Sequence, residues 1–130
     1  MKKYLLYFPI IAAVFLGFQP AQAAELKFDF TWVGWKDKCS VKSPAFKILG
    51  APEGTSNIHF KMKDLDYTSF SHGGGKAKYS GKDIPRGAFK YKGPCPPGGS
   101  VHKYEWTAIA QDDKGNELGR AVVIKPYPPK

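Results

Sequence analysis

Three histidines and several carboxylates are the side chains of this 130-residue chain that could bind an ion or move a proton. His72 stands directly before three glycines, and glycine lets a backbone approach a ligand closely or adopt a positive φ. His102 lies two residues before Tyr104, so a β-strand would place both side chains on one face. Imidazole and phenol groups that share a face can donate hydrogen bonds to an anionic oxygen, although an ordinary half-buried strand has the same pattern.

Carboxylates lie at the end of a second alternating stretch. Phe60, Met62, Asp64 and Asp66 share one face if this stretch is a strand. A carboxylate at the end of an apolar face is costly to bury unless it is paired or hydrogen-bonded. The stretch therefore predicts either that Asp64 is buried and paired or hydrogen-bonded, or that the strand becomes solvent-exposed from Lys63 onward. Both interpretations stay open here.

Catalytic and metal sites lack their usual signatures in this sequence. The stretch 71–75, Ser-His-Gly-Gly-Gly, is similar to the oxyanion loop of lipases, but no serine lies in a G-x-S-x-G elbow. It also lacks the Lys-Ser/Thr ending of a phosphate-binding P-loop. His72, His102 and Asp64 could meet around a metal ion, but their spacing matches no metal motif. We therefore expect no catalytic activity, no metal and no cofactor.

The elements that must position these residues are predicted to be β-strands. Four stretches have a strand-like pattern: Leu26–Trp32, Ile58–Lys63, Val101–Ala110 and Arg120–Lys125. Residues 71–100 are rich in glycine and proline and are predicted to be mostly ordered loop. No stretch of ten residues has a strong helical period. The sequence thus predicts an all-β chain, a β-sandwich with long Gly/Pro-rich loops and little helix.

The first 23 residues have the pattern of a secretory leader. Two lysines at the start are followed by an apolar run over residues 5–18, and Ala21-Gln22-Ala23 fits an A-x-A cleavage site. The run is too short to span a bilayer. We predict a cleaved signal peptide at 1–23, a single domain at 24–130 and a periplasmic or secreted location.

Two cysteines, Cys39 and Cys95, remain after the predicted cleavage. An oxidising compartment favours the one disulfide that they can form. Two free or buried thiols are the alternative.

The chain is basic, with a formal net charge of +9 that comes almost wholly from lysine. Nucleic-acid binding would favour clustered charge and arginine forks, but the chain has no block of like charges and only Arg86 and Arg120 as arginines. We therefore predict no nucleic-acid partner. The lysines predict either a solubilising surface or attraction to anionic ligands and envelope surfaces.

Seven short motifs occur in an order that resembles one known family. They are Cys39-x3-Ser43-Pro44-x-Phe46, Pro52-x-Gly54-Thr55, Asp64-Leu65-Asp66, His72-Gly73, Ile84-Pro85-x-Gly87-Ala88, Tyr91-x-Gly93-Pro94-Cys95-Pro96-Pro97-Gly98 and His102-Lys103-Tyr104. This order is similar to that of the phosphatidylethanolamine-binding protein (PEBP) family, in its bacterial branch of Raf-kinase-inhibitor-like proteins. The most specific part is Gly-Pro-Cys-Pro-Pro-Gly followed by His-x-Tyr.

The resemblance implies a β-sandwich with a small pocket for phosphate or a phosphorylated head group. The residues that it assigns to the pocket are Asp64, His72, Pro97, His102 and Tyr104. The imidazoles and the tyrosine hydroxyl would donate hydrogen bonds to the anion, and the aspartate would fix a histidine tautomer. Prolines at the rim would shape the mouth without competing N–H groups. The predicted function is non-catalytic binding of a small anion or a phosphoethanolamine-like group.

The sequence also departs from the family pattern. Leu65 replaces a proline, Lys103 replaces an arginine, and the stretch after Ala110 lacks the family's helical C-terminal portion, which predicts a more open pocket. The alternative function is a protein-interaction module, such as an enzyme or protease inhibitor or an envelope scaffold, with a vestigial pocket. The expected partners are thus a small anionic or phosphorylated ligand or another protein, with at most peripheral membrane contact.

Overall fold

The computed structural model describes residues 2–4, 9–17 and 24–130. The predicted signal peptide falls partly outside these described residues. Its described parts are exposed and contain neither helix nor strand. Neither observation tests cleavage, and the signal peptide stays a prediction. Within the three described ranges, no helix is long and apolar enough to cross a membrane.

Six β-strands form two antiparallel sheets in the described residues. The strands are β1 Lys27–Phe30, β2 Phe46–Gly50, β3 Asn57–Asp64, β4 Ser71–Lys78, β5 His102–Gln111 and β6 Glu117–Tyr127. A two-stranded sheet contains β1 and β2, and a four-stranded sheet has the order β4-β3-β5-β6. One turn of 3-10 helix, Gly34–Lys36, follows β1. The predicted all-β sandwich is confirmed.

Aromatic side chains at alternate strand positions form the core. Phe28, Phe30 and Phe46 of the smaller sheet and Phe60 and Trp106 of the larger sheet are at most 5% exposed. The Phe46 and Phe60 rings stack with centroids 4.0 Å apart, and Trp106 meets Phe46 edge-on at 5.1 Å. Because each such side chain buries about 150–250 Å² of surface, the cluster anchors both sheets.

The prediction of loop from residue 71 onward is wrong for β4, which pairs with β3. Its glycines are needed for close approach. A Cβ at Gly75 would collide with the Phe89 side chain, and a Cβ at Gly74 would collide with the Phe60 backbone. The glycine run therefore lets β4 lie against the core, and this strand carries His72.

A long loop follows β4 and is tied to the segment after the 3-10 helix. The Cys39–Cys95 disulfide joins the two, with Cα atoms 4.7 Å apart. The Cys39 N–H donates to the Pro94 carbonyl and the Gly93 N–H donates to the Ser40 carbonyl, both at 2.8 Å. The predicted disulfide is confirmed, and it holds this part of the loop in place.

Candidate functional site

A cavity of about 500 Å³ lies at one end of the four-stranded sheet. Its lining residues are Asp64, Asp66, Tyr67, Phe70, His72, Cys95, Pro97, His102 and Tyr104. All five residues that the sequence assigned to a pocket therefore surround one cavity. The volume lies in the range of small-molecule sites.

The strand register explains why these residues converge. β3 runs antiparallel to both β4 and β5, so its last residues meet the first residues of its two neighbours. Asp64 lies directly opposite Tyr104 on β5, and Lys63 lies opposite Ser71 on β4. His72, the next residue of β4, is buried at the same end of the sheet.

Asp64 is a buried and fully used carboxylate, only 3% exposed. Its Oδ2 lies 2.7 Å from His102 Nδ1, and its Oδ1 accepts hydrogen bonds from the N–H groups of Asp66 and Tyr67 at 2.9 and 3.0 Å. Burial opposes its ionisation, but the bonds from His102 and the Asp66 N–H outweigh burial and lower the pKa of Asp64 below its ordinary value. Of the two interpretations of the alternating stretch, the bound carboxylate is the one that occurs.

Both pocket histidines use Nδ1 to hold the ring in place. His72 Nδ1 lies 2.6 Å from the Lys92 carbonyl oxygen, which can only accept, so this nitrogen carries a proton. The ionised Asp64 imposes the same tautomer on His102. Nε2 of each ring is therefore a lone-pair acceptor in the neutral state and becomes a donor only when the ring is protonated.

Tyr104 lies between the two imidazoles and is 0% exposed. Its ring centroid is 5.5 Å from that of His72 and 6.3 Å from that of His102. In the described residues no group meets the distance and angle requirements of a hydrogen bond with its hydroxyl, but the Asp64 carboxylate and the Cys95 backbone lie near enough to interact with it. Burial, and then the negative charge of Asp64, raise the pKa of Tyr104, so the hydroxyl keeps its proton. In the described part of the chain, Trp32, Tyr91 and Trp106 also bury a donor without a partner, so what distinguishes Tyr104 is its place in the lining of the cavity.

Comparison with known proteins addresses the fold. The sequence matches no protein-family profile, and a search of curated proteins also gives no match. Among solved structures, YbcL from E. coli, described as a new member of the mammalian PEBP family, matches with a TM-score of 0.53 at 16% sequence identity. The match covers 82% of this chain and 99% of the YbcL chain. This chain has a PEBP-like fold. The fold implied by the ordered motifs is confirmed, and the ligand must be inferred from the pocket's own chemistry.

Four residues that line the cavity in this PEBP-like fold were not among the predicted ligand-binding residues; one of them, Cys95, had been predicted only as a disulfide partner, and the others are Asp66, Tyr67 and Phe70. Asp66 shared the predicted face of the second strand, but it lies beyond the end of β3, where its Oδ2 accepts the Lys103 N–H at 2.7 Å. Tyr67 and Phe70 are exposed aromatic residues of the β3–β4 loop, stacked with ring centroids 6.4 Å apart. No periodic signal marks residues of such a loop, so only the tertiary structure assigns them to the rim.

Other features of the PEBP-like fold offer less for an anion. A depression of about 490 Å³ beside β1 and β2 is mostly apolar, and its charged residues are Asp29, Lys47 and Asp83. This depression has one lysine beside two carboxylates and contains no histidine or tyrosine, so it does not present a set of hydrogen-bond donors to an anion. Within residues 2–4, 9–17 and 24–130, no group of three His, Cys, Asp or Glu side chains is arranged to hold a metal ion.

Replacing Asp64 with asparagine should change the acid stability of the PEBP-like fold. A carboxylate with a lowered folded-state pKa stabilises the protein above its unfolded-state pKa, and this contribution is lost as the pH falls through the folded-state value. The free energy of unfolding of the wild type should therefore exceed that of D64N by about 1–3 kcal/mol at neutral pH. The difference should shrink below about pH 4. Urea unfolding across this range measures both, with D113N in the exposed β5–β6 turn as control. A wild-type advantage that does not change with pH would contradict this role of Asp64.

Proposed function

We propose that this protein is a non-catalytic binding protein whose pocket takes a small anion or a phosphorylated head group, such as phosphate or phosphoethanolamine. The observation that carries the proposal is that Tyr104 and the imidazoles of His72 and His102, each held in place through Nδ1, line one cavity. The PEBP-like fold also suggests a binding protein.

Anion binding in this pocket would be coupled to proton uptake. With neutral imidazoles the cavity contains two carboxylates, Asp64 and Asp66, and the Nε2 lone pairs of His72 and His102. In that state the Tyr104 hydroxyl is the main donor. Protonation of the two rings converts both Nε2 atoms into charged donors, and hydrogen bonds from charged groups contribute about 1.5–3 kcal/mol each. An anion should therefore bind more tightly as the two rings become protonated.

The second carboxylate favours a zwitterionic head group over a bare anion. Asp64 is occupied by His102 and two backbone N–H groups, whereas Asp66 is exposed and uses only one oxygen, toward Lys103. A carboxylate at the mouth can bind an ammonium group while the imidazoles bind a phosphate. Phosphoethanolamine should accordingly bind more tightly than inorganic phosphate.

The pocket's chemistry supports binding rather than catalysis. The Asp64–His102 pair resembles the orienting and basic members of a hydrolase triad. A triad also needs a nucleophile beside the histidine. Cys95 lines the cavity, but its sulfur is bonded to Cys39, and burial keeps the Tyr104 hydroxyl protonated. The Asp–His pair is thus best used to present Nε2 to an anion.

We place this activity in the periplasm or outside the cell. The leader-like pattern of the first 23 residues and the Cys39–Cys95 disulfide both fit an oxidising compartment. The mass of the protein released by a secreting host tests the predicted cleavage after Ala23.

An NMR titration of the three histidines tests the proposed pocket. Phosphate, phosphoethanolamine and sulfate are added at pH 6 while the imidazole resonances are followed. We expect saturable shifts at His72 and His102 and none at His59, which lies on the opposite face of β3. Sulfate keeps its charge over this pH range, so its affinity isolates the proton uptake by the protein. That affinity should rise up to about tenfold per pH unit for each proton taken up between pH 8 and 6.

Two results would overturn the proposal. The absence of shifts at His72 and His102 with millimolar ligand at pH 6 would show that the cavity does not bind anions. Sulfate affinity that stays constant between pH 8 and 6 would show that the imidazoles do not supply the donors.

A further inference from the structure

The outer face of β3 and β4 carries a cluster of lysines on the side of the sheet away from the core. Lys61 and Lys63 alternate with buried residues on β3, and Lys76 and Lys78 alternate with Ala77 on β4. The ladder places Lys76 opposite His59. Given a rise of about 3.3 Å per residue, the backbone positions of the four lysines span roughly 20 Å along the strands. These four lysines are called the lysine face below.

The lysine face has little negative charge to balance it. None of its four lysines forms a salt bridge in the part of the chain that the structure describes. On the rest of the outer surface, Glu105 is half-buried opposite Lys63, and Glu117 is held by Arg120 at 2.5 Å. Burial is the first cause of the lowered pKa of His59, and the nearby charges of Lys61 and Lys76 lower it further.

The same outer surface becomes apolar toward β6. Val122 and Ile124 of this edge strand are 50% and 49% exposed. They lie opposite Thr107 and Glu105 of β5, on the side of the sheet that faces away from the core. The β3–β4 part of this outer surface is therefore basic, and the β6 part exposes two aliphatic side chains beside the paired Arg120.

We propose that this surface docks on an anionic lipid bilayer through the lysine face. The four charges are spread along two neighbouring strands on one face of the sheet, so they match an extended anionic surface better than a single small ion. Lysines are compact point charges on flexible stems, which suits a layer of lipid phosphates better than a geometrically defined partner. Val122 and Ile124 are placed to enter the interfacial layer beside the head groups.

The surface is independent of the pocket but adjacent to it. Phe70 lines the cavity on one side, and on the other side it lines a groove of the outer surface together with Lys61 and Lys63. Docking through the lysine face would bring the pocket rim near the bilayer. The proposal goes beyond the proposed function, because a protein whose pocket is empty could still dock in this way.

Vesicle co-sedimentation with two charge-matched variants tests the proposal. The vesicles contain equimolar phosphatidylcholine and phosphatidylglycerol at low ionic strength. The test variant is K61Q/K63Q/K76Q/K78Q. The control variant replaces four exposed lysines outside this surface and is K27Q/K47Q/K82Q/K90Q. The leader residues are identical in all three proteins, so differences between them report on the lysines.

We expect wild type to bind these vesicles, to release at high salt, and not to bind pure phosphatidylcholine. Each lysine near an anionic surface contributes about fivefold to partitioning, so the loss of four should weaken binding of the test variant by roughly several hundredfold. The control variant should lose much less. Absence of binding by wild type would overturn the proposal and leave an acidic protein as the occupant. Equal losses in both variants would also overturn it, because net charge alone would then account for binding.

The pocket provides a check that the test variant is folded. It should retain the phosphate-induced shifts of His72 and His102, since none of its substitutions touches the two rings. Retained shifts with lost vesicle binding separate the lysine face from the pocket. If wild type shows neither shifts nor vesicle binding, both proposals fail, each on its own measurement.

Discussion

Replacing both cysteines with serine is expected to lower the free energy of unfolding by roughly 4 kcal/mol. The Cys39–Cys95 bond joins residues 56 positions apart and restricts the unfolded chain over that whole span. Because small domains have total stabilities of about 5–15 kcal/mol, the loss should be a large fraction of the whole. Urea unfolding of C39S/C95S and wild type measures it.

A second variant separates the cross-link from the backbone conformation. Cys39 has a φ of 52°, in the left-handed region that glycine adopts without strain. C39G/C95S should therefore lie above C39S/C95S in stability, by about 1 kcal/mol, while both remain well below wild type. A loss under about 1 kcal/mol in C39S/C95S would contradict the loop-closure argument.

The same bond should also matter for ligand binding. Cys95 and Pro97 form one wall of the cavity, and the neighbouring Lys92 carbonyl holds His72. Without the disulfide, this segment is held to the rest of the chain mainly by backbone hydrogen bonds. We expect the phosphate affinity of C39S/C95S to fall even under conditions where the variant is folded.

Removing both pocket imidazoles should have the largest effect on anion binding. H72A/H102A loses both charged donors at acidic pH, and each is worth about 1.5–3 kcal/mol, so phosphate affinity at pH 6 should fall by a factor on the order of a hundred or more. Y104F removes only the neutral hydroxyl donor, so its phosphate affinity should fall about three- to tenfold. Isothermal titration calorimetry with phosphate and phosphoethanolamine measures these losses.

His59 provides a matched control for the double variant. It is the one histidine of the three that does not line the pocket, and it lies on the outer side of the sheet. H59A should therefore bind phosphate as wild type does. Full phosphate affinity in H72A/H102A would refute the site assignment. The protein-interaction module, with an enzyme, a protease or an envelope component as partner, would then become the preferred function.

The sequence by itself was sufficient to predict two central strands of this protein and the faces on which their side chains lie. Alternation over Ile58–Lys63 and Val101–Ala110 predicted β3 and β5 and placed Asp64, His102 and Tyr104 on the faces that line the cavity. Alternation is a local property, since successive side chains of any strand point to opposite faces. The order of short motifs then predicted the PEBP-like fold, and the cysteine count allowed only one disulfide.

Only the tertiary structure decided which of these residues meet. The contact between Asp64 and His102 depends on the register of β3 against β5, and register comes from long-range pairing rather than from local composition. The strand β4 was hidden because its glycine run has low strand propensity. It forms by pairing with β3, and glycine is required in it because Phe89 and the Phe60 backbone leave no room for larger side chains.

The least predictable features are those in which the partners are far apart in sequence. The buried Asp37 carboxylate accepts a hydrogen bond from Arg86, nearly fifty residues away, and this ion pair left no trace in the sequence pattern. Likewise, Lys61 and Lys76 form one basic surface only because β3 and β4 are neighbours. Spacing along a strand determines which face a side chain occupies, and strand pairing determines what that face contacts.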